Sequence, residues 1–280
     1  MKKLIGLAAA LLAATSAFGI TGDWIEDAQH PYVGLIVFYN ADGTYVQRCS
    51  GSLVSPTKVV TSGACIAEVG AVSARVYFQQ DAGANFDPNT GVDPVTGFPA
   101  TCAAGTLGTL CATSNSLHNY GWANFAGYPN TQDAGVVILQ QAIAMPKYGR
   151  LPAAGTLESV TDNGKKNTLF TMTGYGMTRT PNVHTKLSNV SFRERLMAFS
   201  SLVNFANSQN TDGYNLQTQG NGNNRGGTCS GDSGGPVLLG GSNSDLIVAV
   251  ASFRLNKLCR GTDFAYRIDR QEVLDWINSR

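Results

Sequence analysis

Residues 229–236 read Cys-Ser-Gly-Asp-Ser-Gly-Gly-Pro, and the reading of the whole chain hangs on that run. Ser233 stands between Asp232 and a Gly-Gly pair, with Gly231 two residues before it. A serine that attacks a carbonyl needs backbone N–H groups aimed at the oxyanion that develops, and side chains beside it would block the substrate. Glycines on both sides meet that need. The plain alternative is a Gly-rich turn closing a strand, which fits any lone G-x-S-x-G. Six consecutive residues, from Gly231 to Pro236, flanked by Cys229, make a more specific pattern.

The run resembles the trypsin/chymotrypsin-like serine proteases, whose nucleophile lies in the same Gly-Asp-Ser-Gly-Gly-Pro context, and the chain is read as a secreted, bacterial-type member. The resemblance implies Ser233 as the nucleophile and, by analogy, the amides of Gly231 and Ser233 as the oxyanion hole. It implies an all-β fold: two six-stranded antiparallel β-barrels packed together, with a C-terminal α-helix. Its activity would be hydrolysis of peptide or protein substrates through an acyl-enzyme, with no cofactor and no metal.

The start of the chain sets the compartment. Lys2 and Lys3, an apolar run over residues 4–12 and the small-residue ending Ala17-Phe18-Gly19 form a secretory signal peptide. The mature protein is expected outside the cytoplasm, in the extracellular space or the periplasm. No segment approaches the ~20 apolar residues of a transmembrane helix, so no membrane partner is expected. With Lys2 and Lys3 removed, the 20 basic residues become 18 against 19 acidic ones, a formal charge of −1. Only 14% of residues are charged, which provides no electrostatic case for nucleic acid. A monomer is the default, and a protein inhibitor or other binding partner is the remaining partner class.

Residues 20–280 suit one peptidase domain, with a first barrel over about 20–141 and a second barrel plus C-terminal helix over about 156–280. Six cysteines in an exported chain read as three disulfides, although six permit fifteen pairings. No C-x-x-C pair or His/Cys cluster at ligand spacing supports a metal site. The resemblance implies Cys49–Cys65 and Cys229–Cys259. Cys102 and Cys111, nine apart, would staple a loop within the long Gly/Asn/Pro-rich insertion over residues 77–132.

Short β-rich runs at 32–39, 45–49, 51–54 and 58–61, separated by Asp42-Gly43 and Ser55-Pro56, predict strands joined by turns. Residues 193–205 have an apolar spacing that admits a short helical turn without deciding it. Residues 246–251 predict a buried strand, and Val273, Trp276 and Ile277 at i, i+3 and i+4 predict an amphipathic helix over residues 269–279.

If signal peptidase cuts after Gly19, the new chain starts Ile20-Thr21-Gly22-Asp23, similar to the Ile-Val-Gly-Gly start of activated family members. The resemblance then implies an ion pair between the Ile20 amino group and Asp232. Asp133, in Thr131-Gln132-Asp133-Ala134, is implied as the triad aspartate, and Ser252 as the serine that bonds it.

One position departs from the pattern. The family's Thr-Ala-Ala-His-Cys is here Thr61-Ser62-Gly63-Ala64-Cys65, so Ala64 stands where the catalytic histidine is expected. Without a base a serine hydroxyl is a weak nucleophile. Of the three histidines, His30 reads as a surface or strand-edge residue and His184 as a surface one by default, and the loop of His118 approaches the substrate cleft in the family. Two readings follow: a serine endopeptidase stripped of its base, inactive or strongly impaired, or a pseudoprotease serving as a peptide- or protein-binding module.

The resemblance also marks a substrate pocket of Gly227, Ser252, Phe253, Arg254 and Asp263. Gly227 stands where trypsin-like members carry an Asp at the pocket base, Asp263 offers a negative charge from the other side, and Arg254 replaces a glycine at the pocket entrance. The expectation is either a broad apolar preference or a modified basic one.

Overall fold

The computed structural model describes residues 20–67, 70–82, 107–160, 168–177, 194–255, 259 and 261–280. The expected leader at 1–19, Cys102, His184 and residues 83–106 of the insertion lie outside them.

The first sheet contains β3 (Val33–Tyr39), β4 (Tyr45–Leu53), β5 (Lys58–Thr61), β6 (Ser73–Tyr77), β7 (Cys111–Ser114), β8 (Ser116–Asn119) and β9 (Gly135–Ile138), in the order β7-β6-β3-β4-β5-β9-β8. Its pairings are antiparallel. β7 pairs with β6 and β8 with β9, and only Asn115 separates β7 from β8. One length of chain thus changes partner at Asn115 and nearly closes the barrel. Ser114 Oγ donates to the Ile138 carbonyl at 2.6 Å across that seam. β3 is buried at all seven residues, and Leu35, Ile36, Val37 and Phe38 build the core.

The second sheet contains β2 (Trp24–Glu26), β10 (Leu169–Gly174), β11 (Leu196–Asn204), β12 (Asn215–Gln219), β14 (Pro236–Leu239), β15 (Ile247–Arg254) and β16 (Thr262–Arg267). Pairing of β10 with β11 closes six of these strands into a barrel, and β2 adds to the outside edge of β11. A small ladder joins β1 (Thr21–Gly22) to β13 (Gly226–Gly227). The fold is therefore mostly β, with two barrels and a C-terminal helix, α2 (Gln271–Asn278), which buries Val273, Leu274 and Ile277. Closure of the second barrel removes exposed edges that invite aggregation.

Two local details differ from the sequence reading. Residues 45–53 are one strand rather than two, because Gly51 is a close-packing position and not a break: a Cβ there would stand 2.7 Å from Ile36 Cδ1. Residues 196–204 are a strand, with Leu196, Ala198, Ser200 and Leu202 buried in alternation along it. The short helix α1 (Gly63–Ala67) has no periodic signature and was not legible.

Cys49–Cys65 ties β4 to α1, and Cys229–Cys259 ties the Gly-rich run to the segment before β16. Cys111 is also disulfide-bonded. Each such link contributes about 2–4 kcal/mol by restricting the unfolded chain. Among the described residues no helix is long and apolar enough to cross a membrane.

A buried polar network holds the N-terminal segment between the sheets. Arg195 donates to the carbonyls of Asp27 (3.0 Å), Val33 (3.1 Å) and Phe78 (3.2 Å). Asp27 accepts from His30 Nδ1 at 2.8 Å and from Thr173 Oγ1. Burial pushes the Asp27 carboxyl up, but His30, Thr173 and Arg195 outweigh it and hold the group below the usual carboxylate range.

Candidate active site

The Gly-rich run leads into β14 of the second barrel and packs closely against β4 and β5 of the first, and its glycines are needed for that approach. Gly234 has φ +79°, and a Cβ there would collide with Thr61 Oγ1 and stand 2.6 Å from the Ser50 carbonyl. Ser50, on β4, clamps the run: its N–H donates to the Ser233 carbonyl (2.9 Å) and its hydroxyl to the Gly231 carbonyl (2.9 Å). The same hydroxyl accepts from the Tyr175 N–H at 2.9 Å.

These bonds use the carbonyls and leave amides aimed elsewhere. The Ser230 carbonyl accepts from Met177 N at 2.8 Å, and the Cys229 carbonyl from Asp232 N at 3.0 Å. Among the described residues the N–H groups of Gly231 and Ser233 have no acceptor. Both residues are half-buried and line an open cleft of about 330 Å³ that also touches Ala64, Trp122, Ser252 and Arg254. Two neighbouring unsatisfied donors beside a serine hydroxyl can stabilise an oxyanion.

Asp133 lies in the loop before β9 and is fully buried. Its Oδ1 accepts from the Ala64 N–H at 2.7 Å, and its Oδ2 from the Ser252 hydroxyl at 2.5 Å. The first contact comes from α1 in the first barrel and the second from the end of β15 in the second. Ala64 brings only a methyl group to the cleft.

The described histidines are engaged elsewhere. His30 is fully buried, held by Asp27 and, through Nε2, by the Ser244 carbonyl at 3.1 Å. It is a core residue, not the surface one expected from its sequence position. His118 sits on β8 with Nε2 2.9 Å from Ser116 Oγ.

Asp232 is buried between Gly174 and Gly176, where a Cβ on either glycine would collide with its carboxylate. The hydrogen bonds described for that carboxylate come from two amides, Gly176 N at 2.7 Å and Cys229 N at 2.8 Å. Burial pushes its carboxyl up to about 7, against the lowering effect of those amides and of the Arg254 charge. Ile20 is also fully buried, packed on Leu196 and Ala198, and the next residue, Thr21, pairs with Gly227.

Asp263 occupies the space a side chain on Gly227 would need, since a Cβ at 227 would collide with Asp263 Oδ2. It accepts from the Thr228 N–H and hydroxyl, both at 3.1 Å. Burial raises its carboxyl to about 6, opposed by Thr228 and by Arg254. Among the described residues no group of His, Cys, Asp and Glu is placed to hold a metal ion.

The trypsin family model matches residues 118–277, more than half of the chain and a span that includes Asp133, Ser233 and Ser252. This chain belongs to the trypsin family. Solved structures of similar fold include HL collagenase, with a TM-score of 0.61 and 17% identity over 94% of this chain and 96% of that one. The scabies mite inactivated protease paralogue S-D1 gives 0.60 and 14%, over 94% and 96% of the two chains. Human heparin binding protein gives 0.58 and 20%, over 92% and 95%. At such identities the likeness shows the fold alone. A search of curated proteins returned no match.

In this trypsin-family chain several site residues escape a reading of the sequence. Ser50 acts on residues 181 positions away, Thr228 holds Asp263 across 35, and Trp122 and Phe125 reach the cleft from a loop. Nothing local signals those contacts. Phe253 stands on Phe264 at 4.8 Å in a parallel stack and meets Phe125 edge-on at 5.4 Å, forming an aromatic wall beside the cleft.

Proposed function

We propose that the chain is a secreted serine endopeptidase scaffold, built to hydrolyse peptide bonds through an acyl-enzyme on Ser233, in which Ala64 stands in the place of the general base. The pairing of Asp133 Oδ1 with Ala64 N carries this reading. A buried carboxylate aimed at one residue of the cleft is the part of a catalytic triad that orients a base, and here that residue has a methyl side chain. The amides of Gly231 and Ser233 serve as the oxyanion hole. Turnover is abolished or strongly impaired in this chain. The test is a side-by-side assay of the protein and Ala64→His on a mixed peptide-ester library. Activity confined to the variant supports the reading, and equal activity in both overturns it.

In the same reading residues 1–19 are an export signal, and cleavage after Gly19 frees the Ile20 amino group to pair with Asp232. Residues 20–280 then act as one peptidase unit, extracellular or periplasmic and monomeric, with barrels over about 20–141 and 156–280. Asp263, packed against Gly227, lends negative charge to the substrate pocket.

A second reading, a pseudoprotease that binds peptides or a protein partner, is favoured by one observation. The cleft is open and its donors unspent, while the described histidines are engaged away from Ser233. The fold is also that of a protein named as an inactivated protease paralogue.

A further inference from the structure

β15 loses its partner on one side just where it reaches the cleft. Its pairing with β14 runs from Ile247 to Val250 and ends in the exchange between Ala251 and the Gly234–Gly235 turn. On the other side β16 stays paired through Phe253 and Arg254. Among the described residues, the β15 edge over 252–254 that faces Ser233 therefore has no strand beside it. An extended peptide can add there as one more strand, its backbone bonded to the edge and its side chains alternating between cleft and solvent.

The side chain that dominates this edge is Arg254. It is half-buried and lines the cleft together with Ser230, Gly231 and Ser233. A guanidinium carries five N–H donors in a fixed fork. Arg254 spends one of them on the Ser230 hydroxyl, at a long 3.4 Å, and its buried Nε has no hydrogen-bond partner. The nearest carboxylates do not fill that role. Asp263 is bonded to Thr228 and Asp232 to the amides of Cys229 and Gly176, so they feel Arg254 through its field. The residues lining the cleft include a second arginine, Arg48, stacked on Tyr45, and no carboxylate.

We infer that Arg254 makes this cleft selective for extended acidic peptides: a carboxylate side chain on a strand laid along residues 252–254 takes the guanidinium from Ser230 in a bidentate pair. The inference rests on the reading of the cleft as a peptide site and adds the substrate class to it. Bidentate carboxylate pairing is the geometry a partly desolvated guanidinium accepts best, and a charge-assisted pair across two strands adds to the backbone bonds. A polyanion that reads charge alone fits less well. The sequence is nearly neutral, and two arginines in a 330 Å³ cleft form no extended basic face.

The chain itself is suited to the test, because a bound peptide is not consumed. Fluorescein-labelled octapeptides of Ala and Gly, with Glu, Gln or Lys placed at each interior position in turn, are titrated by fluorescence anisotropy. At one position Glu is expected to bind about tenfold tighter than Gln, a difference of about 1.4 kcal/mol. Arg254→Gln should erase that gap and Arg254→Lys should shrink it. Equal binding of Glu and Gln peptides at every position, or a gap that survives Arg254→Gln, overturns the assignment to Arg254. A preference for Lys over Gln at the position where Arg254→Gln changes binding overturns it too. If no peptide binds, with or without Glu, the peptide-cleft reading itself fails, and that outcome is distinct from equal binding.

Discussion

Asp133 and Ala64 are joined by a 2.7 Å hydrogen bond from the alanine N–H to a buried carboxylate oxygen. The orientation of Asp133 is thus fixed by the backbone of the residue that lacks a base, and by Ser252 from the other barrel. A side chain added at 64 meets a carboxylate already in place.

Ala64→His should therefore raise kcat on peptide esters strongly. Losing the base of such a triad costs on the order of a millionfold, and the gain should approach that figure if the new imidazole takes up the Asp133 pairing. Ala64→His combined with Asp133→Asn should lose most of the gain. A double variant as active as Ala64→His would remove Asp133 from the mechanism.

On the proposal that residues 1–19 are an export signal, their removal should control the charge on Asp232. With residues 1–19 attached, its carboxyl stands near 7 against an unfolded value of 3.8. A folded pKa raised above the unfolded one means stability fully present below about 3.8 and lost as pH rises through 7. Asp263, raised to about 6, acts in the same direction. Asp27, Glu158 and Glu272 are lowered, so their contribution falls away below the ordinary carboxylate range instead. Urea midpoints should decline between pH 4 and 7, and Asp263→Asn should flatten part of the slope. A flat profile over that window would contradict the assignment.

A chain beginning at Ile20 should lose most of the remaining slope, because an ammonium beside Asp232 favours its charged form. N-terminal sequencing of the exported protein should find Ile20 first. Any other start defeats the pairing of Ile20 with Asp232.

In the base-restored Ala64→His protein, Asp263→Ala should reduce cleavage after Lys and Arg relative to cleavage after apolar residues, read as kcat/KM on matched esters. An unchanged ratio would leave Asp263 as a structural partner of Thr228 only.

Gly234→Ala should destabilise the fold by about 3 kcal/mol or more. It combines a Cβ forced onto Thr61 Oγ1 and the Ser50 carbonyl with a positive φ that L residues avoid. A urea midpoint unchanged within error would show that the packing of the run against β4 and β5 is looser than those distances indicate.

Much was legible where the relevant chemistry is contiguous in the chain. The run from Cys229 to Pro236 marked a serine among glycines, because the close approach of strands and the exposure of amides both require small residues at adjacent positions. Short alternating runs foretold the strands, since their period of two is local. Position 64 was readable as an alanine, but that its N–H holds Asp133 was not. Residues 196–204 were undecided, because their alternation means burial only when β10 and β12 flank them.

The sequence alone determined the β-rich character of the chain, the membership its motifs suggested and the absence of a histidine at 64, all of which depend on the order of neighbouring residues. Only the tertiary structure decided that Ser50 clamps the Gly-rich run, that His30 is buried against Asp27, that Asp263 fills the space a side chain on Gly227 would need, and that Arg254 lies on an unpaired edge with donors to spare. Those contacts join groups from 3 to 181 positions apart. A hydrogen bond acts over about 3 Å, and only the packing of the two barrels brings such groups within that reach.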